Sequence, residues 1–250
     1  MNRFASRKQE IAGRFSQAAA HYADFAALQQ AIADVLLQDF QPQGVVLDAG
    51  CGRGRESRLL LQQAAIAKVV ALDIAPAMLE GLPASERLQP LLGDMEAVPL
   101  PDASVAAVFS NFAMQWAESR EKLAAEMFRV LQAGGELRAS VPGPASLQAL
   151  RDSGLHINHF ASPADWERAL QQAGFHDCQF QRRDFTLHFA TVRELLQALQ
   201  GIGAGTTDER RDNHLLGRRW LQQVSAALEA RRQPQGLPLQ YDVIFMRAVR

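Results

Sequence analysis

The chain has 250 residues, of which 48% are apolar, which is enough for one sizeable hydrophobic core and about one domain. Its formal net charge of −1 excludes binding to nucleic acid through a strongly basic overall charge, and its two cysteines give neither a disulfide framework nor the spacing of a metal site. No apolar run is long enough to span a membrane and the first residues lack a signal-peptide core, so we expect a cytoplasmic protein.

The first predicted element is an amphipathic helix, or two abutting helices. Apolar residues recur there at helical spacing from Phe15 to Leu36. Because the first strand begins only at Val45, we expect residues 1–40 to form an extension over the mouth of the binding site. Tyr22 lies on the apolar face of this extension and is either a packed aromatic residue or a substrate contact.

A short strand followed by a glycine loop and a helix is the most informative part of the sequence. The strand ends at Asp48, and glycines follow at Gly50, Gly52 and Gly54. Such a turn presents backbone N–H groups to a ligand at the carboxyl edge of a parallel sheet. The dinucleotide pattern Gly-x-Gly-x-x-Gly is not kept, because Arg55 stands where its third glycine should be.

The acid at the end of this strand predicts a cationic ligand. If the carboxylate of Asp48 points into the crevice, it repels a phosphate and attracts a positive charge. S-Adenosyl-L-methionine meets this condition because it carries an ammonium and a sulfonium group and no phosphate. We therefore expect Asp48, Gly50 and Gly52 to bind this cofactor, whose product is S-adenosyl-L-homocysteine.

Three later strands end in residues that suit the same cofactor. The second ends at Asp73, about twenty residues after the glycine loop, where an acid accepts both ribose hydroxyls, and Ile74 follows it. The third ends before Asp94 and Met95, which we expect to accept from the adenine amino group and to cover the ring. The fourth ends at Asn111, which we place at the floor of the crevice.

The chain after the fifth strand is longer than a crossover requires. Ser162 and Pro163 begin a predicted helix that ends at Gly174. Two strand-like runs follow at residues 175–181 and 185–189. Two further helices are predicted at 191–199 and 215–230, and a last strand at 241–249. We interpret part of this region as the sixth strand and part as a helical cover whose loops select the substrate.

The motifs of residues 40–145 together resemble those of the class I S-adenosylmethionine-dependent methyltransferases. The resemblance implies an α/β, Rossmann-like fold with a seven-stranded, mostly parallel sheet and a helical cover inserted in the C-terminal half. The predicted units are a cofactor-binding core at 41–145, a crossover with the substrate cover at 146–235 and the last strand at 236–250. The alternatives are a doubly wound domain whose glycines serve only the turn, and a cofactor-binding protein without catalysis.

Several segments resemble a narrower family, the malonyl-acyl carrier protein O-methyltransferases of biotin synthesis. These segments are Arg14 to Tyr22, Ser110 to Trp116, Ser146 to Arg151, His159-Phe160, Gln200 to Ala204, Leu216 to Arg219 and Leu237 to Phe245. The resemblance implies methylation of the free carboxylate of a malonyl thioester on acyl carrier protein, or on coenzyme A. Arg53 departs from many relatives, which carry a small residue there. The rival enzyme is another small-molecule methyltransferase of the same fold.

A carboxylate substrate needs a cationic partner but no general base, because a group with a pKa near 4 is already a nucleophile at neutral pH. A guanidinium binds a carboxylate through two parallel hydrogen bonds. Arg151 and Arg211 are the candidates, and each is alternatively a solvated surface charge. Tyr22, Gln115 and Trp116 could line the same pocket.

The implied partner, an acyl carrier protein, is acidic, so its docking should be transient and electrostatic. Paired arginines lie in the second half at Arg182-Arg183, Arg210-Arg211, Arg218-Arg219 and Arg231-Arg232. Residues 151–250 carry 13 basic and 11 acidic side chains, and this surplus is too small to decide whether the region binds an acidic partner. Each pair is alternatively a solvated helix face.

Overall fold

The computed structural model describes residues 23–155, 157–201 and 218–250. One sheet runs through it in the order β3-β2-β1-β4-β5-β7-β6. The strands are β1 Gly44–Ala49, β2 Ile66–Asp73, β3 Leu88–Leu92, β4 Val105–Asn111, β5 Leu131–Pro142, β6 His176–Phe189 and β7 Leu237–Val249. Strands β1 to β5 pair in parallel, whereas β7 is antiparallel to both of its neighbours. The predicted seven-stranded, mostly parallel sheet is confirmed.

Helices lie between the strands and cover the sheet. They are α1 Ala23–Leu37, α2 Arg55–Leu60, α3 Pro76–Leu79, α4 Arg120–Val130, α5 Gln148–Asp152, α6 Pro163–Ala173, α7 Val192–Gly201 and α8 Arg218–Glu229, with a 3₁₀ turn at Met114–Trp116. Within the described ranges, no helix has both the length and the apolar character that a membrane crossing requires.

Adjacent residues of the central strand belong to two different core clusters, because successive side chains of a strand point to opposite faces. Val46 packs with buried residues of α1, α2 and α8, whereas Leu47 packs with buried residues of α4 and α6. Both side chains are fully buried. The sheet is therefore covered on both faces, as parallel sheets require.

The predicted signals for the helix after the fifth strand are confirmed. Ser162 is the N-cap residue of α6, and its side chain and that of Asp165 form a reciprocal capping box. Pro163 occupies the first helical position, where its missing N–H has no intrahelical partner to lose. Gly174 ends the helix with a φ of +106°.

The two strands predicted at 175–181 and 185–189 are one continuous strand, β6. Its pairing with β7 continues through Arg182, Arg183 and Asp184, the polar residues that suggested a break. Because β6 is an edge strand, exposed charged side chains are tolerated and oppose aggregation. The polar run therefore marks the edge of the sheet. Strand β5 begins at Leu131, directly after α4.

Candidate functional site

The glycine loop after β1 has left-handed backbone conformations, which glycine adopts without strain. The φ angles are +80° at Gly50, +53° at Gly52 and +71° at Gly54. A Cβ atom at Gly50 would lie 2.2 Å from the Cβ of Ala113, and one at Gly54 would lie 2.3 Å from a methyl group of Leu82. Two of the three glycines are therefore required by space as well as by conformation.

Asp48, which was predicted to point into the crevice and bind the cofactor, is not among the residues that line the cleft described below. Its side chain is buried, and the hydroxyl of Ser57 donates a hydrogen bond to its Oδ2 at 2.5 Å. Burial raises the pKa of Asp48 to about 8, although the hydrogen bond from Ser57 lowers it. A protonated carboxyl would not supply the negative charge expected of Asp48, so its role in binding the cofactor stays a prediction. Its burial follows because α2, which comes after the loop, places Ser57 against this acid.

Asp73, at the end of β2, connects the glycine loop to a cleft. Its Oδ2 accepts a hydrogen bond from the N–H of Gly52 and its Oδ1 accepts one from the N–H of Ala75, each at 2.9 Å. Burial raises the pKa of Asp73, while these backbone hydrogen bonds lower it. Since each carboxylate oxygen has two lone pairs, acceptor capacity remains for the hydroxyls of a ligand.

The cleft lies beside the ends of β1 and β2. Its lining consists of the predicted residues Gly50, Asp73, Ile74, Asp94, Met95 and Trp116, together with Leu72, Gly93, Glu96 and Ala117. Among these described residues three are acidic and none is basic. The cleft therefore favours a cationic ligand and disfavours a phosphate.

Two further residues predicted to bind the cofactor, Gly52 and Asn111, are not part of this lining. The side-chain amide of Asn111 donates a hydrogen bond to the carbonyl of Gln29 at 3.0 Å, and its Oδ1 accepts one from the hydroxyl of Ser140 at 2.7 Å. Because both ends of the amide have protein partners, Asn111 connects α1 to the sheet.

Gln115 and Arg151, predicted to bind substrate, each have one polar atom that is buried and has no hydrogen-bond partner among the described residues. Gln115 uses its amide nitrogen to donate to the carbonyl of Phe112 at 2.7 Å, which leaves Oε1 without a donor. Arg151 uses Nη2 to donate to the carbonyl of Pro144 at 2.7 Å, which leaves Nη1 without an acceptor. Such atoms are uncommon in native proteins, and a ligand that reached them would satisfy them.

The other two predicted substrate residues, Tyr22 and Arg211, lie outside the described residues. Conversely, the sequence analysis missed Glu96 and Gly93, which line the cleft. A Cβ atom at Gly93 would lie 2.9 Å from a methyl group of Leu72, so this glycine permits close packing. Both missed residues stand within two positions of a residue that was predicted, which is the signal that could have found them.

Comparison with known proteins shows which family has this arrangement. A family model described as a methyltransferase domain matches residues 47–139. The malonyl-[acyl-carrier protein] O-methyltransferase of Serratia marcescens is 35% identical over 249 residues, which cover 95% of this chain and 96% of that protein. The chain belongs to the malonyl-[acyl-carrier protein] O-methyltransferase family. A second member, from Methylococcus capsulatus, is 36% identical over 234 residues, 88% of this chain and 85% of that protein. The resemblance inferred from the sequence is confirmed.

The chain also matches longer proteins. The biotin biosynthesis bifunctional protein BioHC of Teredinibacter turnerae is 34% identical in an alignment of 268 positions, which covers 98% of this chain and 47% of that protein. The chain therefore spans about half the length of this bifunctional relative.

Solved structures confirm the Rossmann-like fold. The YcgJ protein from Bacillus subtilis has a TM-score of 0.60 at 15% identity and covers 92% of this chain and 99% of its own. Phosphoethanolamine N-methyltransferase 2 from Haemonchus contortus, solved with S-adenosyl-L-methionine, has a TM-score of 0.54 at 17% identity. The match covers 90% of this chain and 52% of that protein's chain. At these identities the likeness concerns the fold alone.

Proposed function

We propose that this chain transfers the methyl group of S-adenosyl-L-methionine to the free carboxylate of a malonyl thioester carried on acyl carrier protein, or on coenzyme A. The observation that carries the proposal is an acidic cleft at the glycine loop of a chain that belongs to this family. The product would be the starting ester for the pimeloyl chain of biotin, and the name of the bifunctional relatives supports that pathway. The proposal includes the cytoplasmic location expected from the sequence.

The residues of the cleft fit the cofactor. Asp73 would accept hydrogen bonds from the ribose hydroxyls and Asp94 from the adenine amino group, while Met95 supplies an apolar surface for the ring. Gly50 keeps the loop free of a side chain where Ala113 already fills the space. When bound, S-adenosyl-L-methionine supplies an electrophilic methyl group on a sulfonium.

The proposed reaction needs no general base from the protein. The substrate carboxylate is ionised at neutral pH and is itself the nucleophile. Burial raises the pKa of the Cys51 thiol and of the Tyr241 hydroxyl, so neither group is ionised under these conditions. Alignment of the carboxylate with the methyl group and exclusion of water then account for the rate.

Arg151 is the proposed partner of the substrate carboxylate. Its Nη2 is fixed by the carbonyl of Pro144, while its Nη1 is buried and lacks an acceptor among the described residues. A matched control is Arg231, which pairs with Asp152 of α5 at 2.9 Å and is 45% exposed.

Replacing Arg151 with glutamine should raise the KM for malonyl-carrier protein at least about tenfold, because a charged hydrogen bond contributes about 1.5–3 kcal/mol. The KM for S-adenosyl-L-methionine should stay unchanged. Arg231→Gln should behave like the wild type, since exposed ion pairs contribute little. Equal KM values for malonyl-carrier protein in the two variants would refute the role of Arg151 and leave Arg211 as the candidate.

The carrier protein would dock on the described part of residues 146–235 that includes the edge strand β6. Arg182 is 56% exposed and forms an ion pair with Asp242 at 2.8 Å. Arg183, the next residue, is also exposed. An acidic partner would be attracted to these guanidinium groups in a transient complex.

Incubation of the protein with S-adenosyl-L-methionine and malonyl-carrier protein tests the function directly. Mass spectrometry should show the gain of one methyl group on the malonyl group, and alkaline hydrolysis should remove it as expected for an ester. Methylation of other acceptors in a panel of small acids and amines, with none on malonyl thioesters, would favour a different small-molecule methyltransferase. Cofactor binding without any methyl acceptor would favour a non-catalytic protein.

A further inference from the structure

Two separate segments of the chain form walls of the cleft. The loop after β3 contributes the lining residues Gly93, Asp94, Met95 and Glu96. The segment between β4 and α4 contributes Trp116 and Ala117. In the sheet, β2 and β1 lie between β3 and β4. No strand pairing therefore joins the two segments directly, and contacts beyond the sheet must set the distance between them.

The carboxylate of Glu96 makes such a contact. Its Oε2 accepts a hydrogen bond from the N–H of Glu118 at 3.0 Å, and its Oε1 accepts one from the N–H of Ser119 at 2.9 Å. Ser119 is the N-cap residue of α4, and a negative charge at the start of a helix is favourable. One side chain from the first wall thus holds the backbone that immediately follows the second wall.

The far end of the same loop is also attached to α4. Glu126 accepts a hydrogen bond from the N–H of Val98 at 2.7 Å. Arg129 donates to the carbonyl of Val98 at 2.9 Å and to the carbonyl of Leu100 at 2.8 Å. With this end fixed away from the cleft, the contacts of Glu96 act on the part of the loop that lines it.

We propose that Glu96 is a positioning residue that holds the two walls of the cleft at the spacing needed to bind the cofactor tightly. The inference rests on the proposed function only for the identity of that cofactor. The position requires a carboxylate, because a glutamine side chain has one acceptor oxygen and its NH₂ group would meet one of the two N–H donors. Aspartate keeps both acceptors on a shorter side chain.

The test compares Glu96→Gln and Glu96→Asp with Glu121→Gln, which removes a charge at the same helix end. Glu121 is exposed and accepts from the hydroxyl of Ser119 at 2.9 Å. Titration calorimetry should show about tenfold weaker binding of S-adenosyl-L-homocysteine to the glutamine variant, about 1.4 kcal/mol, with a smaller loss in the aspartate variant. The control should stay within about twofold of the wild type. The KM for S-adenosyl-L-methionine should rise while kcat holds.

Hydrogen exchange of the ligand-free proteins distinguishes a local loss of the Glu96 contacts from a general loss of stability. The amides of Glu118 and Ser119 should be protected in the wild type and in Glu121→Gln, and should exchange faster in Glu96→Gln while the rest of α4 keeps its protection. Unprotected amides in the wild type, or an unchanged affinity of Glu96→Gln for S-adenosyl-L-homocysteine, would overturn the role of Glu96. A wild type that binds S-adenosyl-L-homocysteine but never methylates malonyl thioesters would overturn the proposed substrate and leave the role of Glu96 intact.

Discussion

Replacing Asp48 with asparagine should flatten the pH dependence of the protein's stability. The carboxyl of Asp48 is buried at the end of β1, and burial raises its pKa to about 8. In the unfolded chain an aspartate has a pKa of about 3.9. Asparagine keeps the shape and an oxygen acceptor for the hydroxyl of Ser57, but it cannot titrate.

The sign and size of the effect follow from proton linkage. Between these two pKa values the folded protein retains a proton that the unfolded chain has lost, so stability falls as the pH rises. One such proton changes the free energy of unfolding by about 1.4 kcal/mol per pH unit. From about pH 5 to about pH 7 the wild type should therefore lose about 2.7 kcal/mol that Asp48→Asn does not lose.

Urea unfolding of both proteins at several pH values measures this difference. Asp34→Asn is the control, because Asp34 is 61% exposed on α1 and pairs with Arg55 at the surface. Its stability should follow the wild-type pH dependence. Parallel curves for the wild type and Asp48→Asn would show that Asp48 is ionised in the folded protein, and would restore it as the source of negative charge. If the carboxyl is neutral, the affinity of Asp48→Asn for S-adenosyl-L-homocysteine should lie within about threefold of that of the wild type. This corresponds to a difference of about 0.7 kcal/mol at most in the free energy of binding.

Gly50→Ala should destabilise the protein by several kcal/mol and Gly52→Ala by about 1–2 kcal/mol in urea unfolding, because a Cβ at Gly50 meets Ala113 at 2.2 Å whereas one at Gly52 meets no described atom within 4 Å. Equal losses would contradict this reading of the loop. Binding of malonyl-carrier protein, followed by fluorescence anisotropy, should weaken as salt is added, and an affinity that does not change with salt would exclude docking through arginines. Ser162→Ala should lower the free energy of unfolding by about 1 kcal/mol through loss of the capping box, and an unchanged value would show that the cap contributes nothing.

The strands around the site could be predicted because their signals are local. The second and fourth strands end at Asp73 and Asn111 as predicted, and β1 begins and ends within one residue of its predicted bounds, since each is an apolar run ended by a polar residue or glycine. The continuity of β6 could not be predicted in this way. Its central residues are polar and exposed at the edge of the sheet that the described residues form, and the place of a strand in the sheet order is not a local property.

The candidate site was predicted in part, for the same reason. Residues adjacent to strand ends, such as Asp73 and Met95, were found because parallel strands bring their carboxyl ends to one edge. The contact between Glu96 and the start of α4 joins residues more than twenty positions apart, and no sequence periodicity reports it. The hydrogen bond from Arg151 to the carbonyl of Pro144 is closer in sequence, but it depends on the turn after β5 and no periodicity reports it either.

Asp48 and Asp73 show most clearly where a sequence pattern stops being informative. Each ends one of two neighbouring parallel strands, so the sequence gives them the same expected position at the sheet edge. After Asp48 the chain curls through the glycine loop into α2, whose Ser57 contacts the acid and completes its burial. After Asp73 the chain leaves through Ile74 without such a cover, and the carboxylate lines the cleft. The acids that line the cleft and favour a cation over a phosphate therefore stand after β2 and β3, whereas the buried Asp48 that first suggested this preference is not part of the lining.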